Sequence, residues 1–243
     1  MRINSNSGIN AYRNYSNNLI SVGRSTEKLS TGYSVNRSAD NAAALAISEG
    51  MRTQITGYST ELNNVKNQIS AAQTADGALT EVHSTLNRMQ ELAARASGGI
   101  YTDEQRGMLQ NEFAQLSSEM NRIYDSASFN GNALLKDRPD LSGVNLSTAE
   151  GASAALKTIS GAIDQVSGQR SDYGTLQNGL EHTANSLYTS AVNTQASESL
   201  IGDTDIAEQV MKNTKDKILL QFSQALMAQA NQNAGGVLRL LNQ

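Results

Sequence analysis

The sequence contains no cysteine and no tryptophan, and it has only two histidines and one proline among 243 residues. The absence of cysteine excludes disulfide frameworks, zinc fingers, thiol redox chemistry and cysteine nucleophiles. The absence of a long apolar run argues against a membrane-spanning helix. The net charge is −4 and Lys and Arg are scattered along the chain, which argues against a nucleic-acid surface. We therefore expect no nucleic-acid partner and no membrane insertion.

Because proline breaks the interior of a helix, the single Pro139 permits unusually long helices on both of its flanks. Apolar residues recur in alternating steps of four and three over residues 51–72 and again over residues 79–96. This spacing is typical of a coiled-coil seam. Asp76 occupies the expected apolar position between the two stretches, so the seam is predicted to change phase there.

Residues 109–123 and 156–191 repeat the same spacing, and three such helices would bury one another in a bundle. The glycines after Ser97 predict the end of the first helix, and the acids that follow Thr102 suit the start of the second. Asn130-Gly131 is a strong hairpin-turn signal. The predicted fold class is all-α: a long antiparallel helical bundle or coiled coil with a small β-hairpin near the chain midpoint, around residues 128–150.

The two ends of the chain have a helical pattern but few apolar residues. The first 40 residues have a sparse seam at Tyr12, Tyr15, Leu19, Val22, Leu29 and Tyr33, and residues 205–243 have an apolar stripe at Met211, Ile218, Leu219, Phe222, Ala225 and Leu226. Helices with so little apolar surface are marginal alone. We therefore expect both ends to pair with another surface.

The sequence contains no pattern of residues that predicts an active site. His83 and His182 lie far apart and outside any HExxH motif, and no phosphate-binding glycine motif is present. Asp203 and Asp205 are typical of helix-capping residues. We therefore expect a protein that is not an enzyme, with no cofactor and no metal site.

Long segments of the chain resemble bacterial flagellins. They include LSTGYSVNRSADNAAALAISEGM at 29–51, AAQTADGALTEVHSTLNRMQELAARASGG at 71–99 and SFNG at 128–131. On the carboxyl-terminal side, GQRSDYGTLQNGLEHTANSL, ESLIGDTDIAEQV and ILLQFSQALMAQANQ follow in the family's order. The chain departs from many family members in lacking variable outer domains, because only about 20 residues separate its two halves.

The resemblance implies a structural subunit that polymerises into the bacterial flagellar filament for swimming motility. Residues 1–43 and 204–243 would form the two halves of the inner-tube coiled-coil domain, and residues 44–203 the helical shell domain. The termini of family members are typically disordered in the monomer and fold on assembly. The implied polymerisation residues of the inner tube are Leu19, Val22, Leu29, Ile218, Leu219, Phe222 and Leu226.

The resemblance also implies partners and a location. A flagellin leaves the cell unfolded through the flagellar type III channel, without a cleaved signal peptide, and is extracellular in the flagellum. Its expected partners are further copies of itself, the flagellar export chaperone, and the cap and hook-junction proteins.

A host Toll-like receptor is a further implied partner, through an immune-receptor face at Arg88, Leu92 and Glu112. With Leu86 and Met89 toward the bundle, the helical spacing places Arg88 and Leu92 on the flank and outer face. An ordinary solvated face, with Leu92 at the edge of the seam, is the alternative. Leucines near the carboxyl terminus resemble a tail that is read by cytosolic inflammasome receptors: Leu238, Leu240 and Leu241.

Three other functions fit parts of the sequence. The hook–filament junction protein shares similar ends, but the segment at 71–99 and the ending ANQ…LLNQ resemble flagellin itself. A flagellin that carries an enzyme requires an inserted catalytic domain, and the sequence has no room for one. A non-polymerising secreted helical protein is the third alternative.

Overall fold

A computed structural model describes residues 6–241, with side chains described for residues 8–232. These residues form five helices and one two-stranded hairpin, which confirms the all-α fold class and the small hairpin. In chain order the elements are α1 (Asn6–Thr31), α2 (Ser38–Ser97), α3 (Asp103–Ser126), β1 (Ser128–Phe129), β2 (Asn132–Ala133), α4 (Ala149–Gly202) and α5 (Ile206–Leu241). Within this range, no helix has the length and apolar character needed to cross a bilayer.

The chain divides into two compact units. The terminal unit comprises the chain up to Gly57 together with the chain from Ala191 onward, and the central unit comprises Tyr58–Ser190. Helices α2 and α4 are each divided between the two units, with one part in each. The domain limits expected at residues 43 and 203 remain a prediction.

The central unit is built around the seam of α2. The seam residues from Leu79 to Ala96 are fully buried with residues of α3, α4 and the segment after the hairpin. Ala75, also fully buried, continues the seam from Ala72. Two successive steps of three residues therefore produce the predicted phase change of the seam. Asp76 lies beside the seam, where its carboxylate pairs with Arg170 at 2.9 Å.

The turn between α2 and α3 is held by side chains of α3. Helix α3 starts directly after Thr102 with Asp103 and Glu104 in its first turn, which confirms the predicted start, and Thr102 and Gln105 form a reciprocal capping box there. The buried guanidinium of Arg106 donates from Nε to the Ala96 carbonyl at 2.9 Å and from Nη2 to the Gly98 carbonyl at 3.2 Å. It therefore satisfies carbonyls that the end of α2 leaves without helical partners.

The hairpin turns at Asn130 and Gly131, whose φ angles are 51° and 80°. Two successive positive φ angles are the geometry of a type I′ turn, for which Asn-Gly is the preferred pair. The turn pairs Ser128 with Ala133, which confirms the predicted hairpin. Just after it, the Tyr173 hydroxyl of α4 donates to the Leu134 carbonyl at 2.7 Å.

Candidate functional site

Helices α1 and α5 pair antiparallel in the terminal unit, with Gly8 beside Ala230 and Ser25 beside Asp216. Buried and half-buried residues follow steps of four and three along both helices, as in a coiled coil. They are Ala11, Tyr15, Asn18, Val22, Ser25 and Leu29 on α1, and Gln209, Asn213, Asp216, Leu220, Ser223, Met227 and Ala230 on α5. We call these residues the paired seam.

Hydrogen bonds between side chains, rather than apolar contacts alone, join the paired seam. Asn18 Nδ2 donates to Ser223 Oγ at 2.8 Å, and Ser25 Oγ donates to Asp216 Oδ2 at 3.2 Å. Asn213 Nδ2 donates to Thr26 Oγ1 at 3.1 Å. Polar seam positions specify register but add less stability than apolar ones.

The apolar stripe of α5 faces away from α1. Phe222 is 65% exposed and Ile218 is 60% exposed, and Met211, Leu219 and Leu226 are exposed as well. Of the seven predicted polymerisation residues, five are exposed: Leu19, Ile218, Leu219, Phe222 and Leu226. The other two, Val22 and Leu29, are half-buried in the paired seam. Four of the exposed residues therefore lie on the α5 stripe and Leu19 lies on α1, whereas the other two belong to the paired seam.

Two short connections of the terminal unit run alongside each other and form what we call the junction, residues 32–37 and 203–205. Ser34 donates its backbone N–H to the Gly202 carbonyl at 2.7 Å, and Thr204 donates to the Gly32 carbonyl at 2.9 Å. Gly32 has a φ of 77°, which a glycine adopts without strain. The ends of α1 and α4 are therefore joined by backbone hydrogen bonds.

A buried carboxylate supports the junction from α4. Glu198 Oε1 accepts from Ser48 Oγ at 2.6 Å and from Arg52 Nε at 2.9 Å. The guanidinium of Arg52 lies 4.4 Å from the centre of the Tyr33 ring. Burial lowers the pKa of Arg52, but the hydrogen bond and charge of Glu198 outweigh it, so the net shift is upward.

Sequence reasoning missed this cluster and the α5 side of the paired seam, whereas it had named Tyr15, Val22 and Leu29 on the α1 side. The signal for the seam was present, because Asn213, Asp216 and Ser223 repeat at coiled-coil spacing. The apolar stripe beside them dominated the pattern. The signal for Glu198 was absent, since its two partners lie about 150 residues away in the chain.

The predicted immune-receptor face is only partly exposed. Arg88 pairs with Glu112 of α3 and with Glu91 of α2, each at 2.9 Å, and these three side chains are 42%, 44% and 60% exposed. The hydrogen bond that Arg88 donates to Glu112 raises the pKa of Arg88. Leu92 is 0% exposed and belongs to the core. The prediction that Leu92 lies on the outer face is therefore wrong, because both α3 and α4 contribute residues to the core around α2 and widen its buried face.

The described part of the chain does not bring the remaining predicted residues together in a binding or catalytic site. Leu238, Leu240 and Leu241 lie in the last turns of α5, and their side chains are outside the described residues. His83 lies 3.1 Å from Asn87 through its Nδ1 atom, and His182 is exposed. Among the described residues, no group of three or more His, Asp or Glu side chains is arranged to hold a metal ion.

Comparisons with known proteins cover both halves of the chain. Residues 3–139 match the bacterial flagellin N-terminal helical region, and residues 156–241 match the bacterial flagellin C-terminal helical region. The chain is 40% identical to a flagellin of Halalkalibacterium halodurans over 96% of each chain. It is 35% identical to a flagellin of Bacillus subtilis over 99% of this chain and 100% of the relative.

A flagellar filament core protein of Brachyspira hyodysenteriae is 38% identical over 99% of this chain and 100% of the relative. The crystal structure of Bacillus cereus flagellin matches with a TM-score of 0.47 and 25% identity, covering 56% of this chain and 94% of that one.

Proposed function

Because the chain belongs to the bacterial flagellin family, we propose how its parts serve assembly of the filament. The protein is a structural subunit of the flagellar filament, which is extracellular, and it is not an enzyme. Relatives named flagellin match over nearly their whole length, which favours a filament subunit over a junction protein or a non-polymerising helical protein.

The exposed apolar stripe of α5 is the observation that supports a role for the ends in polymer contacts. Its polar side is occupied by α1, so Ile218, Phe222 and Leu226 lose their water only when another chain covers them. Burying one such side chain contributes about 1.5–3 kcal/mol. Repeated contacts that do not close into a ring give a helical polymer.

We propose that residues 1–43 and 204–243 line the inner tube and that residues 44–203 form the shell. The breaks between helices at residues 32–37 and 203–205 lie close to these limits, which supports the division. The paired seam holds mostly polar and small residues, so its two helices gain little from pairing alone. Ordering of both ends is then completed only when neighbouring copies cover them.

Export and recognition by other proteins belong to the same proposal. The protein leaves the cell through the flagellar type III channel with the export chaperone on its carboxyl-terminal stripe, and then meets the cap and hook-junction proteins. Arg88 and Glu112 are the parts of the receptor face that a host Toll-like receptor can reach, because Leu92 is buried. Leu238, Leu240 and Leu241 are the residues proposed for cytosolic receptors.

Removal of α5 tests the role of the ends in assembly. We expect a chain that lacks residues 205–243 to keep its central helices, as followed by circular dichroism, and to form no filaments in negative-stain microscopy. The full-length protein, concentrated under the same conditions, is the control. Normal filaments from the shortened chain would contradict the proposed role of α5.

A further inference from the structure

The terminal unit contains a cavity of about 280 Å³ where α1, the start of α2 and α5 come together. Arg24 and Lys28 line it from α1, Asp40 from α2, and Gln209 and Lys212 from α5. The cavity is therefore surrounded by side chains from three separate elements. A ligand that fills the cavity would contact all three elements.

The charges around the cavity are unbalanced. Arg24 and Lys28 lie four residues apart on one helix, a spacing at which like charges repel, and Lys212 adds a third cation from α5. Among the described residues, none of these three cations forms an ion pair. Asp40 supplies a carboxylate, but its Oδ2 atom accepts the backbone N–H groups of the preceding turn.

Asp216 lies next to the cavity, because it accepts the hydroxyl of Ser25, a lining residue. The residues that line the cavity themselves include three cations and one carboxylate, so their net charge is positive. The side chain of Asp216 is committed to the paired seam by that hydrogen bond, so it does not move freely toward the lysines.

Gln209 contributes a polar side chain to the same cavity. It is only 8% exposed overall, and its amide has no hydrogen-bond partner among the described residues. No fully buried side-chain nitrogen or oxygen of the described residues lacks a partner, so the amide is reached by water and can bond instead to a ligand that displaces this water. An amide, a guanidinium and two ammonium groups that line one cavity provide donors in excess of acceptors.

We propose that this cavity binds a small multivalent oxyanion of the phosphate type. Such an anion has several acceptor oxygens, so Arg24, Lys28 and Lys212 can each donate a charge-assisted hydrogen bond to it, while Gln209 donates through its amide. By contacting α1 and α5 together, the anion stabilises their pairing in proportion to its binding free energy. The site requires α1, the start of α2 and α5 to be ordered together, so we expect tighter binding in assembled protein, where neighbouring copies complete that ordering.

Calorimetric titration with inorganic phosphate tests this site, against chloride at equal ionic strength. The full-length chain is titrated in its unassembled form and, where it assembles, as washed filaments. The variant Lys28→Gln/Lys212→Gln removes two cations from the cavity. The variant Lys215→Gln/Lys217→Gln removes the same charge from exposed positions of α5 outside the cavity and serves as the matched control. The single variants Lys28→Gln and Lys212→Gln repeat the test on assembled protein if the double variant does not assemble.

We expect saturable phosphate binding by the wild type and the control, and affinity at least about tenfold weaker in the cavity variants, as the loss of charge-assisted donors requires. Equal affinity in the cavity variants, or no saturable binding in either form of the wild type, would overturn the proposal. A wild-type chain that forms no filaments but binds phosphate would count against the proposed assembly function and not against this site.

Discussion

Ser48 and Glu198 lie 150 residues apart in the chain, and the Ser48 hydroxyl donates to the Glu198 carboxylate at 2.6 Å within the terminal unit. Arg52 donates to the same oxygen. The cluster therefore holds the start of α2 against the end of α4, directly beside the junction. Its strength decides how firmly the connections at residues 32–37 and 203–205 are fixed.

Glu198→Ala is expected to loosen the junction. The change leaves the buried Ser48 hydroxyl and the Nε of Arg52 without the acceptor that they share, which costs about 2 kcal/mol. In assembled protein, hydrogen exchange at the amides of Ser34 and Thr204 should then lose about thirtyfold of its protection. Glu49→Ala is the control, because Glu49 pairs with the same Arg52 but is 62% exposed. Equal protection in the two variants would contradict the role of Glu198.

Phe222→Ala is expected to weaken assembly without altering the central unit. The ring is exposed in the isolated chain, so its loss costs little until a neighbour would cover it. A fully buried aromatic is worth about 3–5 kcal/mol, and even part of that raises the critical concentration for polymerisation at least about tenfold. Sedimentation of polymer at increasing protein concentration measures the effect. Gln221→Ala, which changes the adjacent exposed residue, should assemble as the wild type does.

How well the sequence predicts this structure depends on whether the apolar stripe of a helix is covered by other helices of the same chain. In α2 the apolar spacing identified the core correctly, because α3 and α4 of the same chain cover it. The Thr102 cap and the Asn130-Gly131 turn are local interactions and were predictable for that reason. Leu92 was misplaced because the width of a buried face depends on how many helices surround it.

The terminal helices show the opposite case. Sequence reasoning selected Leu19 for the α1 seam, whereas the structure turns Asn18 and Ser25 toward α5. Apolar residues dominate a sequence pattern even when their partner is another molecule. Polar residues at coiled-coil spacing are a weaker signal, because they indicate a seam only together with hydrogen-bond partners on a distant segment. The sequence pattern alone therefore cannot distinguish residues that face a neighbouring molecule from residues that face another helix of the same chain.

Limited proteolysis of the unassembled chain should leave a fragment near residues 45–200. The paired seam of α1 and α5 contains few large apolar residues, so both ends open at low free-energy cost, whereas the seam from Leu79 to Ala96 is fully buried. Mass spectrometry of the products locates the first cuts. Early cleavage within residues 58–96, with both ends intact, would contradict this order of stability.

The central unit should lose stability at alkaline pH through Tyr124. Burial raises the pKa of this tyrosine from 10 to about 12, so the folded unit favours the neutral hydroxyl, which donates to Gln169 at 3.2 Å. The contribution is complete below pH 10 and is lost as the pH rises from about 10 to 12, because the unfolded chain releases its proton first. Urea unfolding at several pH values measures this loss. Tyr124→Phe should lose less free energy of unfolding between pH 10 and 12 than the wild type does. The same pH profile in the variant and the wild type would contradict the assignment of this loss to Tyr124.

Arg88→Ala is expected to weaken receptor activation by the monomer without affecting its fold. Arg88 is 42% exposed and its ion pairs with Glu91 and Glu112 are solvated, so their loss should leave the free energy of unfolding nearly unchanged. An exposed arginine is a frequent anchor of interfaces, and its truncation there typically costs more than about 2 kcal/mol, which corresponds to at least about tenfold weaker activation in a cell-based receptor assay.

Two further variants separate this effect from unfolding and from a general loss of charge. Arg122→Ala, which breaks the exposed ion pair with Glu119 on α3, should leave activation unchanged. Leu92→Ala should lower the free energy of unfolding by about 2–5 kcal/mol, because it empties a fully buried position, and any loss of activation should follow that instability. If Arg88→Ala activates the receptor as well as the wild type does, the binding energy lies elsewhere on the surface. If Leu92→Ala abolishes activation while the central unit stays fully folded, Leu92 must become exposed to the receptor, contrary to its buried position here.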